Sequence, residues 1–582
     1  MIAAGIGVSA GDAAATNMSS SQRTANILPQ PYHQTDLEDQ NPLRPFARLA
    51  SLRWLLQPDP IRQDVRKWLV SAALSGYIQT MRTQQSPIPG PIDLDRRTCR
   101  RARLARDARF DGRFFVGVKT TGVFCRPICP AVSPKERNVE YFRSAAAAAE
   151  AGFRACLRCR PECAPGTPAW TGAPATVARA LRLIADGGLE TANVDALAER
   201  LGVGARHLRR LFVEHLGASP IAVDQTRRLL AAKRLIDETD MPLTAVALSA
   251  GYRSIRRFNA AFLESYGRSP RELRRVRTTN DSNGYESGLR APRYSFQLRY
   301  RPPLDWDSLL AFLGPRAIPG VEAVEGGAYR RNIEIAGAKG WFEVRPGGAN
   351  TLKLLIEFPE SAPMLRIVSR VRRMFDLDSD PMLINAHLAH DKAMKPLVTA
   401  RPGLRVPGAW DGFELGVRAI LGQQVSVSAA TTLAGRLVKA LGHPVLEPAG
   451  GLSHTFPPPQ EVAEWRTPQI GIPGKRAEAI RAFALAVASG EISFDPAANA
   501  DEFRHRLRNI PGLGEWTSEY VALRGLGDPD AFPATDLGLL RASNVRSARE
   551  LMDRAEPWRP WRAYAALHLW TGLLKRHSRE ET

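Results

Sequence analysis

All six cysteines of this 582-residue chain lie between Cys99 and Cys163, and none follows. Four of them form two close pairs, Cys125-x3-Cys129 and Cys156-x2-Cys159, with 26 residues between the pairs. A secreted disulfide framework does not crowd its cysteines into one short segment of so long a chain. Two or three intervening residues let both sulfurs of a pair turn toward one ion, and the long gap closes the fold over it; this suits tetrahedral Zn²⁺. The spacing predicts one Zn²⁺ held by Cys125, Cys129, Cys156 and Cys159 in a small α/β domain over residues 91–168. Cys99 and Cys163 read as spare thiols. Spacing alone leaves a purely structural zinc site open.

Charge is as uneven as the cysteines. The chain carries 80 Lys+Arg against 59 Asp+Glu, a net +21. Residues 96–277 hold 34 basic and 17 acidic side chains, so about a third of the chain carries most of the surplus. Such a patch predicts a polyanion partner, nucleic acid first and an anionic membrane surface second. A composition of 44% hydrophobic and 24% charged residues is ordinary for a soluble globular protein. No apolar run reaches the roughly 18 residues of a membrane span. The first residues have no basic stretch before an apolar one, and Asp12 interrupts a Gly/Ala-rich segment. A cytoplasmic, nucleoid-associated location without membrane contact is expected.

At about 150 residues per domain the length predicts three to four domains. Residues 1–90 are rich in Ser, Gln, Asn and Pro and read as a disordered extension, with one short helix around Leu43–Leu56. Residues 175–277 are helical by apolar periodicity, 278–293 form a polar linker, 294–375 mix strands and helices, and 376–582 are helical. The fold class is multidomain α+β: the zinc-bound domain, an all-α domain, a small α/β domain and a second all-α domain.

The segment Phe114-Phe-Val-Gly-Val-Lys-Thr-Thr-Gly-Val-Phe-Cys125-Arg-Pro-Ile-Cys129-Pro, continued by Ala151-Gly-Phe-Arg-Ala-Cys156-Leu-Arg-Cys159, resembles the zinc domain of the Ada methylation sensors. That resemblance implies a suicidal methyl transfer from a DNA methyl phosphotriester to Cys125, with Thr121 and Arg154 near the DNA backbone. At least one family basic position after the second cysteine is apolar here. Zinc keeps a thiolate deprotonated, so a nucleophile stands ready without a general base. Methylating one of four thiolates changes the formal charge of the centre from about −2 to −1, which weakens its repulsion of phosphate.

Two segments of the all-α region repeat. Leu197-Ala-Glu-Arg-Leu-Gly202 matches Val246-Ala-Leu-Ser-Ala-Gly251, and Leu208, Phe212 and Gly217-Ala-Ser-Pro220 match Phe258, Phe262 and Gly267-Arg-Ser-Pro270. A Gly between two helices is the helix-turn-helix cue. The helices after the turns carry Arg206, Arg209 and Arg210 in one copy and Arg253, Arg256 and Arg257 in the other. The aromatic and Leu positions read as core. The pattern resembles AraC-type domains, which implies a double helix-turn-helix in successive major grooves and RNA polymerase as a further partner.

The C-terminal region carries the enzymatic signal. Ile510-Pro-Gly512-Leu-Gly514-Glu-Trp516-Thr-Ser-Glu-Tyr520 reads as a Gly hairpin opening a helix, whose backbone N–H groups can meet a DNA phosphate. Asp536 follows 22 residues after Gly514, and Gly422-Gln-Gln424 lies upstream. Together these resemble helix-hairpin-helix DNA glycosylases of the AlkA type, which release 3-methyladenine. The resemblance spans roughly residues 290–575. It implies Asp536 as the catalytic acid, Trp516, Tyr520 and Trp570 as base-pocket aromatics, Gly512 and Gly514 on the DNA, and hairpin carbonyls holding an alkali cation. Gln424 stands where the family has an apolar wedge, and Leu537 where it has a pocket tyrosine. An alkylated purine is cationic, so aromatic faces attract it by about 0.5–2 kcal/mol per contact. Asp536 would stabilise charge developing on the sugar; as a residue type it fits a helix N-cap equally well. The strand-nicking relatives carry a lysine where this chain has Trp516, so a monofunctional glycosylase is expected. The competing reading is a regulator whose glycosylase half binds DNA without chemistry.

Overall fold

A computed structural model describes residues 95–165, 175–185, 189, 193–239, 241–275, 291–445, 451–466, 471–495 and 499–580. The extension over 1–90, its expected Leu43–Leu56 helix and most of the 278–293 linker lie outside the described residues. Within them no helix is long and apolar enough to cross a membrane.

The cysteine-bearing module starts with helix α1 (Arg96–Leu104), capped by the Asp95 side chain. Four short strands follow: β1 (Phe115–Val118), β2 (Val123–Cys125), β3 (Val139–Phe142) and, after helix α2 (Ala145–Glu150), β4 (Arg154–Ala155). Their order is β3-β1-β2-β4, with β4 parallel to β2 and the other pairs antiparallel. All four residues of β1 are buried, because successive side chains serve opposite faces. Val116 and Val118 pack with Cys99, Cys125 and Cys159, while Phe115 packs with Phe124 and the alanines of α2. Gly117 admits no side chain: a Cβ there would sit 2.7 Å from the Phe142 ring.

Seven helices make the next module: α3 (Ala175–Ala185), α4 (Val194–Arg200), α5 (Ala205–Leu216), α6 (Pro220–Glu238), α7 (Leu243–Ser249), α8 (Ile255–Tyr266) and α9 (Pro270–Arg275). The repeat seen in the sequence is kept in the backbone. Gly202 and Gly251 both turn with positive φ (69° and 84°) between the paired helices, and Gly217 and Gly267 both end the second helix in the left-handed region. Only glycine adopts that conformation without a Cβ penalty.

The third module is a five-stranded antiparallel sheet. Strands β5 (Arg293–Arg299), β6 (Glu322–Glu325), β7 (Ala328–Ile335), β8 (Ala338–Pro346) and β9 (Thr351–Glu357) pair in the order β5-β9-β8-β7-β6. Helices α10 (Trp306–Leu313) and α11 (Met364–Met374) cover one face through Leu309, Ile367 and Val371. The apolar cluster under this sheet does not stop at the module's edge. It continues through Leu235, Ile236, Phe258 and Phe262 of the helical module to Phe115 and Phe124 of the cysteine module.

The remainder is helical: α12 (Pro381–Leu388), α13 (Met394–Ala400), α14 (Gly412–Leu421), α15 (Val427–Leu441), α16 (Pro459–Glu464), α17 (Gly474–Ala488), α18 (Ala500–Arg508), α19 (Glu515–Val521), α20 (Leu537–Ser543), α21 (Ala548–Ala555) and α22 (Arg562–Glu580). A two-stranded pairing of His443–Pro444 with His454–Thr455 interrupts them. A buried charge network joins sheet to helices, with Arg331 between Glu322 and Glu414, and Arg418 reaching both carboxylates. Burial alone would raise Glu322, but Arg418 and Arg331 bring it down to about 2.

Candidate functional site

Pairing of β2 with β4 assembles the cysteines. Cys125 ends β2, and Cys156 follows β4 and donates its backbone N–H to Phe124 at 3.0 Å. Turns then bring Cys129 and Cys159 back, so one sulfur from each of the four lies within 4.8 Å of the others. Tetrahedral Zn²⁺ with Zn–S near 2.3 Å sets its ligand sulfurs roughly 3.8 Å apart, so the set fits the ion. Without a cation the thiols conflict: contact with Cys129 and Cys156 pushes Cys125 up, and contact with Cys125 holds Cys129 down to about 7. A divalent ion lets all four ionise. Cys125 and Cys159 are buried while Cys129 and Cys156 are half-buried, so exposure does not single out Cys125. Thr121 and Arg154 are both exposed, joined through Gly122, whose carbonyl accepts from the Arg154 backbone N–H at 2.9 Å. Cys163 is buried, with its sulfur 3.6 Å from a Glu238 carboxylate oxygen. Cys99 packs under the cluster, and burial pushes its thiol up to about 12.

Leu208 and Phe212 on α5, and Phe258 and Phe262 on α8, are buried as expected of core. Arg206, Arg209 and Arg210 on α5 are exposed, as are Arg256 and Arg257 on α8 and Arg253 before it. Each second helix thus buries its apolar stripe and offers arginines to solvent.

Asp536 lies at the start of α20 and does two things there. Its Oδ1 accepts from the Leu539 backbone N–H at 2.9 Å, the N-cap bond. Both indoles of the expected pocket also donate to it: Trp570 Nε1 to Oδ1 at 2.9 Å and Trp516 Nε1 to Oδ2 at 2.8 Å. The cap and the pocket are therefore one arrangement around one carboxylate. Tyr520 stacks on Trp516 with centroids 5.0 Å apart and planes 10° from parallel. Leu537 is 68% exposed beside this group.

The hairpin between α18 and α19 turns at Gly512, where φ is +88°. Gly514 is the N-cap of α19, and no side chain caps that end. Gln423 ties this hairpin to the loop before α15: its Nε2 donates to the Gly512 carbonyl at 2.9 Å and to Thr517 Oγ1 at 3.0 Å. The next residue, Gln424, is exposed and held at a φ of +58°, which non-glycine residues rarely adopt.

Residues 98–162 match the metal-binding domain of Ada, residues 197–276 a helix-turn-helix domain, and residues 295–411 the AlkA N-terminal domain. A probable bifunctional transcriptional activator/DNA repair enzyme AlkA of Mycobacterium tuberculosis is 40% identical over 479 residues, which is 82% of this chain and 96% of that protein. This chain belongs to that family. The DNA-3-methyladenine glycosylase 2 of Escherichia coli is similar to its C-terminal part, 34% identical over 280 residues, 47% of this chain and 96% of that one. The bifunctional transcriptional activator/DNA repair enzyme Ada of Escherichia coli is 33% identical over 172 residues, 29% of this chain and 47% of that one.

In this AlkA-family chain several residues that local sequence patterns do not reveal sit at the sites. Phe312 of α10 and Arg316 come from the sheet module to Tyr520. Arg524 lies 4.9 Å and Arg316 3.9 Å over the Phe312 ring, and Arg524 donates to the Tyr520 hydroxyl oxygen at 2.7 Å. Burial alone would raise Tyr520, yet the Arg524 and Arg316 guanidiniums outweigh it and bring the phenol below its ordinary value. Gly538 lets the carboxylate come close: a Cβ there would be 2.9 Å from Asp536 Oδ1 and 3.4 Å from Trp570. At the cysteine centre, the buried Arg126 donates its backbone N–H to Cys159 Sγ at 3.3 Å and pairs with Asp111. Gly538 and Arg126 adjoin motifs already singled out, and Arg524 stands four residues after Tyr520 on the same helical run; for Phe312 and Arg316 only the fold supplies the signal.

Proposed function

We propose that this chain is a fused alkylation-damage response protein with three linked activities. Its zinc-bound Cys125 takes a methyl group from a DNA methyl phosphotriester: a sulfur–carbon bond forms, the carbon–oxygen bond breaks, and an anionic phosphodiester is left. The resulting loss of negative charge at the centre strengthens its hold on DNA and turns the paired helix-turn-helix units into an activator. The C-terminal half releases alkylated purines, of the 3-methyladenine type, by adding water at the sugar carbon as the base leaves. Asp536, Trp516, Tyr520 and Trp570 carry that step. The base stacks on the aromatic faces, and the carboxylate faces the positive charge that develops on the sugar. Such an enzyme must first extract the nucleotide from the stack, at a cost of a few kcal/mol.

The observation that carries the glycosylase assignment is the engagement of both indole N–H groups with Asp536. A carboxylate that served as a helix cap alone needs only the Leu539 bond. The absence of a lysine at Trp516 supports a monofunctional enzyme, one that leaves the strand uncut. Contact with RNA polymerase, nucleoid association and an alkali cation on the hairpin carbonyls belong to the same reading. The test is to incubate the purified protein with methylated DNA. Free 3-methyladenine, an uncleaved abasic strand and a single methyl adduct on Cys125 are expected. An adduct on Cys129 or Cys156 would overturn the acceptor assignment, and no base release would favour a regulator with an inactive glycosylase half.

A further inference from the structure

The methyl-acceptor module and the glycosylase half are far apart in sequence, yet a run of buried charges connects them. It begins at the cysteine centre. Arg126 follows Cys125 directly, and its guanidinium reaches the Cys159 carbonyl at 3.0 Å and Asp111 Oδ1 at 2.8 Å. Two residues on from Asp111, Arg113 Nε faces Asp380 Oδ2 at 3.1 Å, with the side chains 6% and 1% exposed. Asp380 is the N-cap of α12, its Oδ1 accepting from the Leu383 backbone N–H at 3.2 Å. Between Asp111 and Arg113 lies Gly112, at a φ of +73°. A Cβ there would be 2.1 Å from the Pro165 carbonyl oxygen, so the turn is pressed against the module's tail. That same carbonyl accepts from the buried Arg301, which also donates to the Asp378 carbonyl at 2.8 Å.

We infer that the cysteine centre and the glycosylase half form one coupled unit through the series Cys159–Arg126–Asp111, Arg113–Asp380, so that the state of the zinc site is felt at the start of α12. The physical ground is the cost of isolating a buried charge. Arg126 and Arg113 each have a fixed acidic partner, and neither can shift without leaving a charge unpaired in a water-poor region. Losing the metal frees the Cys156–Cys159 turn that Arg126 holds by both sulfur and carbonyl. Arg126 then loses two of its acceptors, Asp111 loses its orientation, and the turn carrying Arg113 loosens from Asp380. Packed, paired interfaces of this kind have discrete arrangements, so the change is passed on and not absorbed locally.

The test uses the full chain without DNA, which keeps it separate from the function proposed above. Zinc is removed with a chelator, its release is measured colorimetrically, and hydrogen exchange of peptides across α12 is followed by mass spectrometry. In the wild type, metal loss is expected to speed exchange in α12 at least tenfold. Asp380→Asn keeps an N-cap of equal quality but removes the charge facing Arg113. Its α12 should exchange faster from the start and respond little to the chelator. Arg113→Lys, which keeps the charge, should restore part of the response relative to Arg113→Gln. Unchanged exchange in α12 on zinc release, or an equal response in Asp380→Asn, would overturn the coupling. Loss of methyl transfer or base release in other assays would leave it standing.

Discussion

Replacing Asp536 by Asn separates the two roles that one carboxylate fills. Asn caps a helix as well as Asp does, so the Leu539 bond survives the change. The pocket does not. If the amide oxygen keeps Leu539 and Trp570, the amide NH2 points at the Trp516 Nε1–H, and two donors meet where a 2.8 Å bond stood. A donor left without an acceptor costs about 1–3 kcal/mol when fully buried, and the half-buried Trp516 indole falls toward the lower end of that range. For a helical half of this size that corresponds to a fall in melting temperature of roughly 2–4 °C per kcal/mol. Under the proposed mechanism catalysis loses more, because the negative charge that would face the sugar is gone. Removing one preorganised electrostatic group of this kind typically costs about 10²–10³ in rate. The assay is single-turnover release of 3-methyladenine, with damaged-DNA affinity and melting temperature measured on the same preparations. A slowing of about 100-fold or more is expected, with affinity little changed. A rate within about threefold of wild type in a folded, DNA-binding variant would reduce Asp536 to a helix cap and remove it from the mechanism.

The other expectations are simpler to state. Gly538→Ala forces a Cβ to within 2.9 Å of Asp536 Oδ1, so the carboxylate must move; a loss of roughly tenfold to 100-fold in the release rate, larger than any change in DNA affinity, is expected, and wild-type rates would show that the approach is slack. Cys125→Ala should abolish the methyl adduct seen by mass spectrometry and the induction of a reporter, and an adduct that persists on another cysteine would relocate the acceptor. Binding to undamaged DNA should fall by about 10³-fold between 50 and 200 mM salt if the six exposed arginines of α5, α8 and the Arg253 turn each meet a phosphate, and Arg256→Ala should flatten the salt slope by about one. His568 is 3% exposed, and burial lowers it to about 4. Its neutral form is the one the fold accepts, so its contribution of about 3 kcal/mol is complete above pH 6.5 and lost as pH falls toward 4. His568→Gln should make the acid limb of a stability–pH curve shallower, and an unchanged limb would assign acid unfolding elsewhere.

Local spacing made much of this chain legible. Two cysteine pairs, two Gly-turned helix pairs and one Gly hairpin are each written within a few dozen residues, and a repeat at a near-constant offset needs no knowledge of the fold. Sequence could not separate the cap from the catalytic reading of Asp536, because one side chain meets both descriptions. Arg316, near Tyr520, was invisible for a different reason. Arg316 and Phe312 belong to the sheet module, which the buried Glu322, Arg331, Glu414 and Arg418 network and the packing of Ile318 and Val321 fix against α14. The common core was hidden in the same way: Phe115, Leu235 and Phe296 each show an apolar face, but no local pattern names the partner that covers it.

The charges around Tyr520 and Trp516 polarise their stack. In the Trp516–Tyr520 stack one ring meets a guanidinium, Arg524 donating to the Tyr520 hydroxyl, and the other meets a carboxylate, the Trp516 indole donating to Asp536. A neutral aromatic stack would attract a cationic base equally at either ring. Under the proposed function this one repels it near Arg524 and attracts it near Asp536, so the field pulls positive charge toward the carboxylate. The same gradient favours the sugar's developing charge as the glycosidic bond stretches, when the base gives up its own positive charge. Under the proposed function, ground-state binding and transition-state stabilisation thus draw on one polarised stack. Its negative end is fixed by three hydrogen bonds, so the carboxylate is already oriented when charge develops on the sugar.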